Sequence, residues 1–494
     1  MLIRILCLIA AGILVSGCSG PQSVLASHPM QFPCPQFADY ITEYDHRSFA
    51  DIQKYAEGPP TNSVGQFGED LLLSGNDTAT VERVAAQAAA PVKMLILSGG
   101  GQWGAFGAGF LNAQAPADRN FDVVTGVSTG AIQALFVGAN QYERMQYLYG
   151  LPEGNPASAN GMIGLISKGS QHDLSALRKM LRDELYGRGK DSLLTAILDG
   201  KGAPNIRIAM VEGRSNNLMI VDLSGYIRAK HPLGTDRSGL TEKQVGDCVT
   251  GLVLASSAIP LRLTPVQIDI GDENGLKGDF RTFMDGGVRL SIIDRQFAQL
   301  SEDIYLMQLC SPLGAANECT LENLKKAEKS GLIEATPPSI YVVRNGPTVV
   351  PKSSLDAHID TDPDAYVTAM RGYAILVNQN EVASIGEMQA RYPYDSLNVV
   401  SADGYNWMSG QQVTWGVSHT FPCPERDEGV YFDKAFMECL IAFGHWRKAN
   451  YDADNNGWQQ LAPLIDEPQG LAEEGPVLPS EAALKRAEKY LPAR

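Results

Sequence analysis

The stretch VKMLILSGGGQWG, residues 92–104, places a continuous apolar run directly before three glycines. Such a run is typical of a strand that is buried on both faces of a sheet. The glycines that follow, Gly99, Gly100, Gly101 and Gly104, fit two different structural motifs. One is the dinucleotide-binding turn between a strand and a helix. The other is a loop whose backbone N–H groups stabilise a developing negative charge.

Patterns typical of strands and helices alternate after this stretch. We therefore predict an α/β fold with a mostly parallel central sheet and helices on both faces. The predicted strands are FDVVTGV (121–127), NIRIAMVEG (205–213), NLMIVDLSG (217–225) and FRTFMDGG (280–287), the last running into a glycine turn. Five helices are predicted. One is long and covers residues 129–150, and another begins at residue 245 and stops at Pro260. The other three begin near Gly104, at Asp173 and at Ser192.

After residue 300 the pattern becomes more helical. SIYVVRNG, residues 339–346, predicts a strand, and apolar residues spaced along one stripe from Phe432 predict a helix that packs on the core; they are Phe432, Phe436, Cys439, Leu440 and Phe443. We divide the chain into a signal peptide at 1–17, a tether and irregular N-terminal segment at 18–90, a catalytic core at 91–300, a C-terminal extension packed on the core at 301–462, and a Pro- and acid-rich tail at 463–494.

The composition is that of a globular protein with a substantial core. The chain has 494 residues, of which 44% are hydrophobic, and its formal net charge is −16. This negative charge argues against nucleic acid, or a bare anionic membrane, as an electrostatic partner.

The first residues, MLIRILCLIAAGILVSGCSG, have the pattern of an export signal. Arg4 precedes an apolar run at residues 5–15 that is too short to span a bilayer as a stable anchor. Residues 15–18, VSGC, resemble the bacterial lipoprotein box, which implies that Cys18 is lipidated and becomes the N-terminus. Ser19 rather than Asp follows, and this resemblance implies delivery to the outer membrane of a Gram-negative bacterium. The alternative is an ordinary secretory signal, and either interpretation predicts an exported protein.

Six cysteines remain after the signal peptide and Cys18, and an even number in an exported protein indicates disulfides. Neighbour pairing would give Cys310–Cys319 and Cys423–Cys439, leaving Cys34–Cys248, although six cysteines allow 15 connectivities. Several buried free thiols are the alternative.

No metal site is predicted from these residues. No C-x-x-C spacing occurs in the sequence, although that spacing is common among zinc ligands. The segment from Asp452 to Gly457 begins like an EF-hand loop, but Pro463 stands where the bidentate glutamate is required.

A second glycine motif carries a candidate nucleophile. Gly126 and Gly130 flank Ser128 in G-x-S-x-G, between a predicted strand and a predicted helix, where a sharp turn projects the serine hydroxyl. The N-terminus of the following helix favours an anion at this position.

A serine nucleophile needs a base, which is usually a histidine. His358, His419 and His445 lie downstream of Ser128, but none is in a glycine-flanked turn after a strand. Asp285 is in such a turn, in the order Asp285-Gly286-Gly287. Asp-Gly-Gly is also an ordinary turn sequence, so a base from this motif alone stays a hypothesis.

Four motifs in order, SGGGQWG, GVSTG, ASSAIP (255–260) and DGG, resemble the patatin-like phospholipase family over about residues 91–300. The resemblance implies that Ser128 is the nucleophile, that Asp285 is the general base of a Ser–Asp dyad, and that residues 99–101 form the oxyanion hole. Two departures are visible. Trp103 stands where the family often has a basic residue, and VRLSIID follows DGG where the family often has an Asn-Pro segment.

We expect a serine acyl hydrolase that cleaves ester-linked fatty acids from lipids and needs no cofactor. A dinucleotide-binding turn would leave Ser128 and Asp285 without a role, so the hydrolase is favoured. Two alternatives share the motifs: a non-catalytic lipid-binding or assembly lipoprotein of the cell envelope, and an acyltransferase that uses the same dyad.

Overall fold

The computed structural model describes about half of the chain, including almost all of the predicted core. The predicted signal peptide, Cys18 and the predicted tail lie outside the described residues. The described residues are 29–43, 93–160, 170–199, 203–236, 238–271, 278–294, isolated positions between 320 and 330, 339–348, 365–391, 397–403, 413–415, 417–419, 430–451 and 455–461.

One 11-stranded sheet organises the described residues. Its strands are β1 (Met30–Pro33), β2 (Ile41–Glu43), β3 (Lys93–Leu97), β4 (Val123–Val127), β7 (Asn205–Glu212), β8 (Leu218–Asp222), β9 (Val266–Asp269), β10 (Phe280–Asp285), β11 (Ser339–Arg344), β12 (Leu397–Ser401) and β15 (Gln459–Gln460). The centre of the sheet is a parallel stack in the order β7-β4-β3-β11-β12, and antiparallel strands extend it at both ends. Two short pairs lie outside it: β5 (Ser158–Ala159) with β6 (His172–Asp173), and β13 (Val413–Trp415) with β14 (Val417–His419).

Helices cover this sheet, and the predicted α/β class is confirmed. All five residues of β4 and all eight of β7 are buried, as expected for strands covered on both faces. The helices are α1 (Gly104–Ala113), α2 (Thr129–Gly138), α3 (Tyr142–Tyr149), α4 (Ser175–Arg182), α5 (Leu193–Asp199), α6 (Leu223–Lys230), α7 (Glu242–Ser256), α8 (Ala365–Arg391) and α9 (Lys434–Asn450).

The prediction of one long helix from residue 129 to residue 150 is wrong. The structure has two helices there, α2 and α3, separated at residues 139–141. Asn140 has a φ of 54°, a left-handed conformation that interrupts a right-handed helix and that asparagine tolerates better than most residues.

The N-terminal segment differs from its prediction, because residues 30–33 and 41–43 are strands of the central sheet and not irregular chain. β1 pairs in parallel with β9, and β2 pairs antiparallel with β8. Strands of three or four residues, one of them ending at Pro33, are too short to show a periodic pattern in the sequence.

A disulfide between Cys34 and Cys248 ties the residue after β1 to helix α7. This is one of the pairings that the sequence left open. Cys439 is also disulfide-bonded, whereas Cys310, Cys319 and Cys423 lie outside the described residues.

The C-terminal extension does more than pack on the core. Its strands β11 and β12 continue the parallel centre of the sheet, with β11 directly beside β3. Helix α9 packs against α1, where the Phe443 and Phe106 rings lie 5.7 Å apart. The predicted stripe on α9 is confirmed at Phe436, Leu440 and Phe443, which are buried.

Helix α8 is the longest described helix, with 27 residues. Neither α8 nor any other helix among the described residues is both long enough and apolar enough to cross a membrane. Before β15, Asn456 and Gly457 have positive φ values and form a turn; Asp452 and Asp454 of the EF-hand-like segment lie outside the described residues.

Candidate active site

Ser128 occupies a strained turn between β4 and α2. Its φ of 56° and ψ of −122° are unusual for a non-glycine residue, and such strain is often found at functional positions. The flanking glycines have a steric basis, because a Cβ atom on Gly126 would lie 2.1 Å from the carbonyl oxygen of Gly130. The G-x-S-x-G sequence therefore permits a turn that few other residues could form.

The helix end in the ASSAIP motif holds this turn in place. The backbone N–H of Ser128 donates to Ser256 Oγ at 3.0 Å, and the Ser256 hydroxyl donates to the carbonyl oxygen of Ala209 on β7 at 2.6 Å. In the same motif the carbonyl oxygen of Ala258 accepts from the N–H of Asp285 at 3.1 Å. One short segment thus positions both residues of the predicted dyad.

Asp285 is the last residue of β10 and is 2% exposed. The Ser128 side chain hydrogen-bonds to its carboxyl group, and the N–H of Gly287 donates to Oδ1 at 2.7 Å. Burial raises the pKa of Asp285 to about 6, although these two hydrogen bonds act in the opposite direction. A carboxyl group with a pKa near 6 can accept a proton at neutral pH and return it, as general base catalysis requires.

The triple-glycine loop follows β3 and turns beside Ser128. Gly100 has a φ of 142°, and a Cβ atom there would lie 1.9 Å from the backbone oxygen of Asn345, so only glycine fits. Asn345 also holds the start of the loop, since its Nδ2 donates to the carbonyl oxygen of Ser98 at 2.8 Å. Its backbone N–H donates to Ser98 Oγ at 3.0 Å.

The loop presents backbone donors. In the described part of the chain, no group accepts a hydrogen bond from the N–H of Gly99, Gly100 or Gly101. Gly99 lies against the nucleophile, because a Cβ atom placed on it would be 3.5 Å from Ser128 Cβ. Unpaired N–H groups beside a serine are the arrangement that can stabilise an oxyanion.

Two cavities of different character meet at Ser128, Gly101 and Tyr431. The first is a narrow apolar cavity, lined by Ile132, Phe136, Leu148, Leu174, Leu177 and Met180 among others. The second, of about 230 Å³, has a mixed lining in which polar and charged side chains, Asp285 among them, and the glycine loop stand beside apolar ones; it is called the polar cavity below.

The polar cavity includes side chains that the sequence analysis missed. Arg344 ends β11, and its guanidinium Nη2 lies 3.2 Å from Glu381 Oε2 on α8. Burial raises the pKa of Glu381 to about 7, although the nearby Arg344 charge acts in the opposite direction. Tyr373 and Arg262 line the same cavity. No motif marked these residues, and Arg344, Glu381 and Tyr373 come from the extension rather than from the predicted core.

No histidine lines either cavity among the described residues. His445 lies on α9, where its Nε2 hydrogen-bonds to Gln146 Oε1 at 2.6 Å. His358 and the side chain of His419 lie outside the described residues. The residues brought together at Ser128 are therefore those of the predicted Ser–Asp pair.

The remaining glycines of the motifs lie at the turns and helix starts next to the Ser–Asp pair. Gly286 and Gly287 begin the short 3-10 turn after β10, and Gly104 begins α1. Trp103, which departs from the family pattern, lines the polar cavity and packs edge-on against Phe436, with ring centroids 5.2 Å apart.

The fold and the site together define a class: α/β proteins in which a serine at a strand–turn–helix junction lies beside a glycine loop. Residues 95–293 match the model of the patatin-like phospholipase family, and this part of the chain is a patatin-like domain. A domain of this family indicates a lipid acyl hydrolase activity.

Comparison with individual proteins adds little to this assignment. A solved structure described as "Crystal structure of VipD from Legionella pneumophila" aligns with 11% identity over 72% of this chain and 68% of the other, with a TM-score of 0.25. No curated protein matches the sequence.

Proposed function

We propose that this protein is a serine acyl hydrolase that cleaves ester-linked fatty acids from lipids, with Ser128 as the nucleophile and Asp285 as the general base. The observation that carries the proposal is the hydrogen-bonded pair of Ser128 and Asp285, which lies where an apolar and a polar cavity meet. The unpaired N–H groups of residues 99–101 would serve as the oxyanion hole.

In the first half of the reaction, Ser128 Oγ attacks the carbonyl carbon of the ester while Asp285 accepts the hydroxyl proton. The carbonyl oxygen becomes an oxyanion, to which the loop N–H groups donate. The tetrahedral intermediate then collapses, the bond to the alcohol breaks, and Asp285 returns the proton to the departing alkoxide. The fatty acyl group remains on Ser128.

In the second half, Asp285 accepts a proton from a water molecule, which attacks the acyl carbon. Collapse of the second tetrahedral intermediate releases the fatty acid, and the proton returns to Ser128 Oγ. The raised pKa of Asp285 suits this cycle, because the same carboxyl group must accept and donate a proton twice in each turnover.

The two cavities support a lipid as the substrate. An acyl chain would fill the apolar cavity, because its lining of aliphatic and aromatic side chains matches a hydrocarbon. The alcohol part of the ester would then lie in the polar cavity on the other side of Ser128.

Labelling with a fluorophosphonate tests the nucleophile, and lipid extracts incubated with the protein test the reaction. We expect Ser128 to be labelled and free fatty acid to appear. A matched control is Ser224→Ala, which removes another buried hydroxyl and should leave the labelling unchanged. An unlabelled wild-type protein would favour a non-catalytic lipid-binding or assembly role. Labelling with transfer of the acyl chain to another alcohol would favour an acyltransferase.

We also propose that the protein is exported and anchored by a lipid on Cys18, at the outer membrane of a Gram-negative bacterium. The support is the sequence of residues 1–19. Cys18→Ala should release the protein from the membrane fraction or block its processing. Unchanged fractionation of this variant would contradict the anchor.

A further inference from the structure

The C-terminal extension contributes a buried ion pair to the active-site cavity. Arg344 is 2% exposed and Glu381 is 4% exposed, yet both line the polar cavity that contains Ser128. Both residues lie outside residues 95–293, the part of the chain that matches the family model. The pair is therefore an addition to the domain, placed where the alcohol part of an ester would lie.

The pair leaves polar atoms without partners. Arg344 Nη2 contacts Glu381 and Asn378, but the Nε and Nη1 atoms are buried and have no hydrogen-bond partner among the described residues. Glu381 Oε1 is buried as well, and the Ser291 side chain interacts with the Glu381 carboxyl group. Leaving a buried donor unpaired destabilises the folded protein, and more strongly for a charged group. Because Arg344 lines the cavity, a ligand bound there could accept hydrogen bonds from its unpaired Nε and Nη1 atoms.

We propose that Arg344 binds an oxyanion group, a phosphate or a carboxylate, carried by the alcohol part of the substrate, and that Glu381 is the counter-ion that Arg344 keeps when this site is empty. The inference rests on the proposed function, which places the alcohol part in the polar cavity. A guanidinium group suits this task because its planar donors match an oxyanion in pairs.

The other charged and titratable groups around the pair define its electrostatics. Asp285 opposes the ionisation of Glu381, and Asp403 interacts with Arg344. The cavity wall also includes Arg262, Tyr373 and Tyr431. Because the pKa of Glu381 is about 7, an arriving anion can cause Glu381 to take up a proton. The Arg344 charge then becomes available to the ligand, so anion binding should strengthen as the pH falls from 8 to 6.5.

Three small alcohols that differ in one group test the site: glycerol, glycerol 3-phosphate and glycerate. Their dissociation constants are measured by calorimetry on the full chain. We expect glycerol 3-phosphate or glycerate to bind the wild-type protein at least tenfold more tightly than glycerol. The comparison of the two anions tells a phosphate site from a carboxylate site. Equal binding of all three compounds, or no binding of either anion, would overturn the proposal.

Three variants test the roles within the pair. Arg344→Gln should reduce the preference for the anion over glycerol by at least tenfold, and Arg344→Lys should retain part of it. Glu381→Gln should bind the anion at least as tightly as the wild type, because the competing charge is gone. The control is Arg281→Gln, which removes an arginine that is 37% exposed and pairs with Asp279. A Glu381→Gln loss as large as that of Arg344→Gln would assign the pair a purely structural role.

The pH dependence gives a second readout. Glycerate stays ionised between pH 6.5 and 8, so any change in its affinity over this range reports protein groups. The wild type should bind glycerate more tightly at pH 6.5, and Glu381→Gln should lose most of this dependence. An identical dependence in both proteins would contradict the counter-ion role of Glu381.

The two proposals can fail separately. If the anion binds through Arg344 but Ser128 is not labelled by a fluorophosphonate, the hydrolase proposal fails and the anion site stands. If Ser128 is labelled and ester is hydrolysed without an anion preference that depends on Arg344, only the anion site fails.

Discussion

The backbone N–H of Ser128 and the side chain of Ser256 are joined by a 3.0 Å hydrogen bond across 128 residues of sequence. The end of α7 therefore helps to fix the nucleophile turn, in addition to its own helix α2, where the N–H of Ala131 donates to the Ser128 carbonyl oxygen at 2.9 Å. Since Ala258, two residues further along, accepts from the N–H of Asp285, movement of this helix end would displace both members of the dyad.

Ser256→Ala should lower kcat for ester hydrolysis by about tenfold or more and destabilise the fold by about 1–3 kcal/mol. The Ser128 N–H and the Ala209 carbonyl group would each lose a partner in a buried place, at the usual cost of unsatisfied polar groups. Steady-state kinetics and urea unfolding measure the two effects.

The matched control for Ser256→Ala is Thr250→Val. It removes another buried hydroxyl from the same helix, one that donates to the carbonyl oxygen of Gly246. Thr250→Val should change stability with little effect on kcat. Equal kcat losses in the two variants would show that α7 affects catalysis through stability alone.

The dyad predicts a non-additive double mutant. Ser128→Ala should remove ester hydrolysis, and Asp285→Asn should reduce its rate on the order of a thousandfold. The two residues act as one unit, so the loss of either one already removes most of the rate enhancement that the pair provides. The double variant should be hardly slower than either single variant. Kinetics on a short-chain nitrophenyl ester, with folding checked by circular dichroism, measure this.

A conventional triad makes the opposite prediction. In that case, replacing His358, His419 or His445 with alanine would abolish turnover, and Asp285→Asn would retain activity. Full activity in Asp285→Asn would end the Ser–Asp proposal.

The sequence allowed the core of the fold and the immediate surroundings of Ser128 to be predicted, because each depends on local patterns. Apolar runs identified β3 and β4, and the glycines of GVSTG and DGG identified two turns whose geometry only small residues allow. Local steric requirements leave a signature in the sequence.

Contacts between distant segments leave no such signature. No local pattern places Arg344 and Glu381 in the same cavity as Ser128, because β11 reaches the site by pairing with β3. The strand at Met30–Pro33 was missed for a similar reason. Its pairing with β9 and the Cys34–Cys248 disulfide are long-range contacts, and four residues are too few to show a period.

The pKa of Asp285 predicts the acid limb of the pH profile. The base is active only when it is ionised, so kcat/KM for a neutral ester should rise with pH through about 6 and level off above pH 7. A neutral ester is needed so that ionisation of the substrate does not enter the profile. If kcat/KM instead rises through about pH 4, Asp285 is not held in the buried environment that the structure shows.

Gly100→Ala should lower kcat by about a hundredfold or more, with a smaller effect on folding. The added Cβ atom would lie 1.9 Å from the Asn345 backbone oxygen, and a φ of 142° is strained for alanine. The loop must shift, which moves its N–H donors away from the oxyanion. Losing one such donor costs about 10²–10³-fold in kcat. The control is Gly372→Ala on α8, where the added Cβ atom would meet no atom within 4 Å.

The burial of Asp285 also predicts a gain in stability when its charge is removed. The folded-state pKa of about 6 lies above the ordinary value of 3.8 for an aspartate, so the folded protein holds this proton more tightly than the unfolded chain. The free energy of unfolding of the wild type therefore decreases as the pH rises from about 4 to about 6, by a total on the order of 3 kcal/mol. Asp285→Asn avoids this loss, while its side-chain oxygen can still accept from Gly287.

Urea unfolding at pH 5 and pH 8 measures the difference between Asp285→Asn and the wild type. The variant should be the more stable protein at pH 8, and its advantage should shrink at pH 5, where much of the wild-type carboxyl is already protonated in the folded state. Ser128→Ala provides an independent check. It removes a hydrogen bond that lowers the pKa of Asp285, so its stability should fall more steeply with pH than that of the wild type. A constant advantage for Asp285→Asn at both pH values would show that Asp285 titrates alike in the folded and unfolded chains, and the base would then lack the raised pKa on which the pH profile depends.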